Sequence, residues 1–309
     1  MGIVVIGATF VDIKGFPNDT YIPDGRNAGR IEYIHGGVAR NVVEDIANME
    51  LRPTYLGIVD DTPMGADVVH KLQNHKVNTD YVQVCSDGMG TWLAVFDSDG
   101  NVAGSISKRP NLLPILDMLE EKGDEIFSQA DSVVLEVDID KATVKKVFEL
   151  AEKHGVKTYA VVSNMSIAIE RRDFFQKFDC FICNEQEAGM LFLDDYSEKT
   201  PEELRDILAE KIQRARIPAM VVTMGSRGAV YADLNGNKGI CPAKKVQVKD
   251  TTGAGDAFCA GVSAGLTYGK TLAEAVEIGT TLAASVIVSS DNVCPRFQPQ
   301  ELGLDILFF

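Results

Sequence analysis

Residues 250–258 read DTTGAGDAF and run on as CAGVSAGLTYG to residue 269. Ala257, Ala260, Gly261 and Ala264 recur at helical spacing, so Gly253 to Asp256 should open a helix. Glycines let an anion approach the backbone without a Cβ in the way, and the first turn of a helix carries amide N–H groups with no intrahelical partner. Gly253, Ala254 and Gly255 therefore read as an anion hole with the carboxylate of Asp256 beside it. A plainer reading makes the small residues a packing surface and Asp256 a helix cap, but it leaves Thr251 and Thr252 unexplained. In the functional reading the amides of 253–255 hold the oxyanion of a transferring phosphoryl group while Asp256 accepts the proton of an attacking hydroxyl. Such a transfer requires little beyond positioning and charge neutralisation.

Upstream of this loop the pattern is alternation. Short β-rich runs at 3–8, 53–59, 132–137, 156–162, 180–183 and 219–224 are separated by segments with helical spacing. Val144, Val147, Phe148 and Ala151 form one helical stripe, and Gly155 supplies its stop. Near-continuous apolar strands alternating with amphipathic helices predict an α/β fold, a three-layer sandwich with a mostly parallel central sheet. Two regions break the rhythm. Residues 91–107 read as a hairpin around an Asp-Ser-Asp-Gly turn, and residues 10–35 hold short extended pieces among Gly, Asn, Asp and Pro. Together, as segments of about 10–37 and 90–108 within a single domain of residues 1–309, they predict a small antiparallel lid over the strand ends. The terminal LDILFF (304–309) reads as a docked apolar tail.

Acidic residues outnumber basic ones 45 to 30, the net charge is −15, and no Lys/Arg cluster is long enough to track a phosphate backbone. Nucleic acid is thereby excluded as an expected partner, and any phosphate site must be built locally from backbone amides, helix N-termini and a metal ion. No apolar run reaches the roughly 18–20 residues a membrane span needs, and MGIVVIGA lacks the charged flank of a secretory signal. A cytoplasmic location is expected. Of the six cysteines only Cys180 and Cys183 are close in sequence. Three apart in a strand, they point to opposite faces, so they should share neither a metal nor a disulfide and read as buried small hydrophobes.

The glycine loop lacks the Gly-Lys-Ser/Thr of a Walker A motif, and GATFVD after the first strand is no dinucleotide fingerprint. DTTGAGDAF instead resembles the C-terminal signature of the ribokinase-like (PfkB) carbohydrate and nucleoside kinases, and the similarity extends over essentially the whole chain. GATFVDIKG (7–15) is similar to the family's first strand with its substrate-binding aspartate, here Asp12. HGGVARN (35–41) resembles its Gly-Gly…Asn signature through Gly36, Gly37 and Asn41. CNEQEA (183–188) resembles the Asn-x-x-Glu motif through Asn184 and Glu187, and VTMGSRGAVY (222–231) the nucleotide loop through Thr223, Gly225 and Gly228. The resemblance implies a ribokinase-like fold and transfer of the γ-phosphate of ATP to a hydroxymethyl group, with Asp256 as base. It implies that Asn184 and Glu187 organise Mg²⁺ through its waters. Asp250 and Thr252, with backbone from 286–294, would bind a potassium-like cation, and Ala283, with Ala284 and Val288, would border the adenine.

These residues also have readings of their own. Gly36 and Gly37 precede a helix with the apolar stripe Val38, Val42, Ile46 and Met49, so their amides are free to meet a sugar hydroxyl, and Asp12 and Asn41 add the acceptor and mixed polar group a polyol needs. Equally, Asp12 reads as a turn aspartate, Glu187 as a first-turn acid favoured by the helix dipole, and 281–290 as plain core.

For the acceptor, Arg40 before Asn41 is similar to the pseudouridine-kinase branch; otherwise it reads as a solvent-facing first-turn arginine. The chain departs from that branch at SISKRPN (105–111), where Lys108 and Arg109 replace acidic character. Facing the pocket they would suit a phosphorylated or acidic acceptor, but two adjacent cations read as a solvated edge. YAVVSNMS (159–166) lacks the aspartate many relatives carry, with Val162 near its position, which leaves Asp138 as the polar candidate at the strand end and Glu136 as the lesser one. The expected acceptor is pseudouridine, phosphorylated at its 5′-hydroxyl. The alternatives are a simple sugar such as ribose or fructose, a sugar phosphate, or a non-catalytic nucleoside- or nucleotide-binding regulator, against which the intact Asp256, Gly253 and Gly255 stand. Exposed edges of the lid lead to the expectation of a homodimer.

Overall fold

The computed structural model describes residues 2–304, so most of the terminal tail, 305–309, lies outside the described residues. In chain order the first half comprises β1 (Ile3–Ile6), β2 (Thr9–Pro17), β3 (Gly29–Gly36), α1 (Val38–Asn48), β4 (Thr54–Leu56), β5 (Ile58–Val59), α2 (Pro63–Asn74), β6 (Gln83–Val84), β7 (Met89–Phe96), β8 (Val102–Lys108), α3 (Leu113–Phe127) and β9 (Ser132–Glu136). The second half comprises α4 (Lys141–His154), β10 (Lys157–Val161), α5 (Met165–Ala168), β11 (Cys180–Asn184), α6 (Glu185–Phe192), α7 (Pro201–Ala215), β12 (Ala219–Thr223), β13 (Ala229–Asp233), β14 (Lys238–Cys241), α8 (Ala254–Thr267) and α9 (Leu272–Ile287).

Eight strands form the main sheet in the order β14-β13-β12-β11-β10-β9-β1-β4. The six from β12 to β4 are parallel, and β13 and β14 close one edge antiparallel. Successive side chains of a strand point to opposite faces, and the apolar residues divide accordingly. Val4, Ile6, Val133 and Leu135 join one buried cluster with Leu119 of α3, Val144 of α4 and Leu208 of α7. Ile3, Val5 and Val134 join a second with Val42 of α1, Val68 of α2, Ala260 of α8 and Leu282 of α9. Cys180 falls in the second cluster and Cys183 in the first, and all six cysteines are free. Local signals behave as read: Asp140 caps α4 by accepting from the Thr143 amide at 2.9 Å, and Gly155 ends it at φ 67°.

The stretch 53–59 is not one strand. It breaks at Gly57, where a Cβ would lie 2.3 Å from the Tyr55 ring, so β4 stays in the main sheet and β5 pairs with β6. The small sheet has the order β3-β2-β7-β8, and it is mixed rather than antiparallel. Each hairpin places its first strand at the centre, so β2 and β7 run parallel while β3 and β8 return antiparallel at the edges. Among the described residues no helix is long and apolar enough to cross a membrane.

Candidate active site

Helix α8 starts at Ala254, capped by Gly253 at φ 81°. A Cβ on Gly253 would lie 2.0 Å from the Asn292 carbonyl oxygen, so glycine alone fits there. The small residues of this helix separate into two groups. At Gly261 a Cβ would lie 2.7 Å from the Gly279 Cα, which makes it a packing glycine against α9. At Gly255 nothing stands within 4 Å of a Cβ, so its smallness keeps space open at the helix N-terminus.

Asp256 projects from the first turn, partly buried, and its Oδ2 accepts from Asn41 Nδ2 at 2.6 Å. Burial pushes its pKa up to about 7, with Asp12 and Glu187 adding to the rise and Asn41 and Arg40 opposing it. A carboxylate poised near neutrality suits a general base at physiological pH.

Asn41 sits in the first turn of α1. Its amide oxygen accepts from the Arg40 guanidinium and from Asn292 Nδ2 at 3.3 Å, which leaves Nδ2 for Asp256. The helix is capped by Gly37 at φ 96°, where a Cβ would lie 2.7 Å from the Ala8 carbonyl oxygen. At Gly36 a Cβ would lie 2.9 Å from Asp12 Oδ1, so this glycine makes room for the carboxylate. Burial raises the Asp12 pKa, while Lys14 and Arg40 pull it down. Asp12, Gly36, Gly37, Asn41 and Asp256 thus converge on one spot.

Arg40 does not face solvent. Its side chain is fully buried, donating to the His35 and Gly36 carbonyls and pairing with Glu44, which Lys71 also meets at 3.0 Å. The cause is the setting of α1: every residue from Ala39 to Asn48 is buried.

At the carboxyl end of β9, Glu136 accepts from the Ala8 amide at 2.9 Å, and burial together with Asp138 pushes its pKa up to about 8. Asp138 is buried and accepts from the Ser163 amide at 3.0 Å and from Arg109 Nη2 at 3.1 Å. Both cations stay exposed, as a solvated edge would have them: Lys108 pairs with Asp87 at 2.7 Å on the surface, while Arg109 also reaches the buried Asp138. Neighbours along an extended strand end point to opposite sides.

On the other flank, Asn184 and Glu187 form a capping box: the Glu187 amide donates to Asn184 Oδ1 at 2.9 Å and the Asn184 amide to Glu187 Oε2 at 2.8 Å. Glu187 is nonetheless raised in pKa by burial, with Asp138 adding, and it forms no ion pair among the described residues. Thr223 ends β12 in register with Asn184. Gly225 at φ 56° and Gly228 at φ 95° shape the following turn; a Cβ on Gly228 would lie 2.2 Å from the Cys241 carbonyl oxygen, whereas Gly225 faces open space. Asp250 accepts from the Thr252 amide at 2.9 Å, and the Lys249 amide ties this loop to the Ile287 carbonyl at 2.7 Å, near half-buried Ala283 on α9. No hydrogen bond among the described residues joins this nucleotide-side group to the Asp12–Asn41–Asp256 group.

Two further residues escaped the sequence reading. Asn292 donates to His35 and Asn41, tying the 286–294 segment to the site; nothing local announces that contact. Trp92, the chain's single tryptophan, stands in register with Asp12 across β2 and β7, hence on the same face of the small sheet, and Phe96 packs edge-on against it at 6.5 Å.

The model of the pfkB family carbohydrate kinases matches residues 2–294. The chain belongs to that family. It is an ATP-dependent carbohydrate or nucleoside kinase, as its five motifs implied. Among curated relatives, this pfkB kinase is 34% identical over 292 residues to a guanosine-inosine kinase of Exiguobacterium acetylicum, covering 94% of this chain and 95% of that one. It is 23% identical over 278 residues to the pseudouridine kinase of Escherichia coli, covering 89% and 86%. The fold is that of the Arabidopsis thaliana ribokinase solved with ribose and ATP, at TM-score 0.82, 20% identity and 99% coverage of both chains.

Proposed function

We propose that this kinase phosphorylates the 5′-hydroxyl of a nucleoside, with guanosine or inosine as the acceptor. The observation that carries the reading is Trp92, with Phe96, on the Asp12 face of the small sheet: an aromatic surface beside the ribose-holding aspartate suits a stacked base. The 34% likeness to a guanosine-inosine kinase supports the purine. Pseudouridine is the second reading, favoured by the Gly36-Gly37-Val38-Ala39-Arg40-Asn41 stretch; the burial of Arg40 makes that arginine a scaffold for Asn41 and takes weight from it as a base-reading residue.

In this reading Asp12, Gly36, Gly37 and Asn41 hold the ribose, and Asp256 accepts the proton of the 5′-hydroxyl as its oxygen bonds to the γ-phosphorus and the bond to ADP breaks. The amides of 253–255 carry the charge on the transferring group, and the open space at Gly255 leaves room for it. The nucleotide lies along Thr223, Gly225, Gly228 and Ala283. Five carboxylates, Asp12, Glu136, Asp138, Glu187 and Asp256, crowd this edge against Arg40, Arg109 and Lys14, an excess that fits a hydrated divalent cation. Asn184 and Glu187 would hold Mg²⁺ through its water, and the bound ion neutralises the triphosphate. Asp250 and Thr252 would take K⁺. The small sheet acts as the lid of a single-domain enzyme. Its outer face carries Tyr33, Ile13, Leu93 and Ile106 in one cross-strand row, with Tyr33 60% and Ile106 71% exposed, and this row supports a homodimer.

The test is phosphate transfer from ATP and Mg²⁺ to guanosine, inosine, adenosine, pseudouridine, uridine, ribose, fructose and fructose 1-phosphate, with product masses and the Asp256→Asn variant as control. A 5′-monophosphate of guanosine or inosine is expected; transfer to the sugars alone would refute the nucleoside reading. Ligand binding without transfer to any acceptor would favour the regulator.

A further inference from the structure

Resting on the nucleoside reading above, we propose that Arg109 and Asp138 together read a lactam edge of the acceptor's base, a ring carbonyl beside a ring N–H, and so select oxo-bases over amino-bases. Asp138 lies two residues past the end of β9, and its Oδ1 is pinned by the Ser163 amide, two residues past the end of β10. The carboxylate is thus fixed at the carboxyl edge of adjacent parallel strands, where open α/β sheets bind their ligands. It shares that edge with Glu136, which feels both Asp138 and Asp256.

Arg109 arrives from the opposite wall. It follows β8, whose Ser107 pairs with Trp92, so a base lying on the Trp92 face has its rim directed towards the guanidinium. The Asp138 side chain is fully buried and the Arg109 side chain 45% exposed, so one partner is fixed and the other free to swing. Arg109 Nη2 donates to Asp138 Oδ2 at 3.1 Å. An entering base puts its N–H on Oδ2 as the guanidinium moves to the neighbouring carbonyl.

The order of donor and acceptor decides which bases fit. Hypoxanthine and guanine present O6 beside N1–H, which matches arginine beside aspartate; guanine adds its amino group as a second donor to the carboxylate. Adenine presents an amino group beside a bare N1, which sets donor against donor and lone pair against carboxylate. The uracil ring of pseudouridine also has lactam edges, so the device suits either oxo-base. A two-point contact of this kind discriminates by about 100-fold.

Inosine and adenosine differ only along this edge and form the decisive pair. Wild type should prefer inosine by about 100-fold in kcat/KM. 1-Methylinosine, which lacks the N–H, should lose most of that advantage. Arg109→Met should lower the inosine-to-adenosine ratio at least about tenfold, mainly through KM, and Asp138→Asn, which offers N–H to adenine N1, should push it further towards adenosine. Affinities read separately from the fluorescence of Trp92 should move in parallel, and Lys108→Met should leave the ratio unchanged. Comparing inosine with pseudouridine tells which oxo-base the site takes; either keeps the inference if the variants shift preference towards adenosine. Wild type that takes adenosine as well as inosine, or an Arg109→Met enzyme whose ratio stays within about twofold, overturns the lactam device while leaving the nucleoside reading standing. Wild type that phosphorylates no nucleoside overturns both. Should Asp138→Asn fail to fold, Arg109→Met and 1-methylinosine still decide.

Discussion

Asp256→Asn should make the protein nearly inactive and more stable, and the second effect separates a poised base from a helix cap. Below about pH 4 the carboxyl is protonated in the folded and unfolded chains alike and exacts no penalty. Between its ordinary value of 3.8 and about 7 the folded chain keeps a proton that the unfolded chain has released, so stability falls as pH rises; above about 7 the penalty is complete. At about 1.36 kcal/mol per pKa unit, that gap bounds the penalty near 4 kcal/mol, and partial exposure with solvent screening reduces it to about 1–2 kcal/mol. Asparagine is neutral at every pH and can still accept from Asn41 through its own Oδ1. The variant should therefore melt roughly 1.5–3 °C above wild type at pH 8 and gain about a third of that at pH 5, read by calorimetry on the ligand-free enzyme. Its turnover should fall about 10²- to 10⁴-fold, and wild-type kcat/KM should rise through about pH 7 with the release of one proton. A variant that loses turnover but melts at or below wild type at pH 8 would make Asp256 a stabilising cap, which is the plainer reading of DTTGAGDAF. Turnover near wild type would remove it from the mechanism.

Gly253→Ala should abolish soluble, folded enzyme, because its Cβ meets the Asn292 carbonyl oxygen at 2.0 Å, whereas Gly255→Val should fold and lose kcat more than acceptor affinity; circular dichroism and steady-state kinetics check the pair, and equal losses in kcat and affinity for Gly255→Val would mean a folding defect. Arg40→Met leaves Glu44 buried with Lys71 and the more distant His75, and should destabilise by about 3 kcal/mol in urea, while Arg40→Met/Glu44→Leu should recover most of that and still turn over slowly, because Asn41 has lost its orienting donor. Trp92→Leu should raise nucleoside KM about tenfold or more, by the loss of roughly 1–3 kcal/mol of stacking, and leave the KM for ATP unchanged in the same assay. Ile106→Glu should convert a dimer into a monomer by sedimentation, since it puts a charge on the most exposed member of the row, at its β8 end.

What was legible in the sequence is what near neighbours determine. Gly253 opens α8 and Gly155 closes α4 because each glycine sits at a helix end in a left-handed conformation, and the strands divide their apolar residues by period two, as Val4 and Ile6 against Ile3 and Val5 show. What was not legible lies in contacts made across the chain. Arg40 and Glu44 at i and i+4 look like a surface pair on an amphipathic helix; nothing within the helix reveals that it is buried along its length. Asn41 meets Asp256 across 215 positions, and Asn292 reaches Asn41 across 251. Arg109 is the instructive case, because the rule needed was already in use. The alternation that separates Cys180 from Cys183 also separates Lys108 from Arg109, so a pair of cations at a strand end should have been split between two sides, each about half exposed but with different partners in reach. Once split, the arginine can reach an acceptor that the lysine on the other side cannot. The buried carboxylate of Asp138, already the polar candidate at the strand end, is that acceptor.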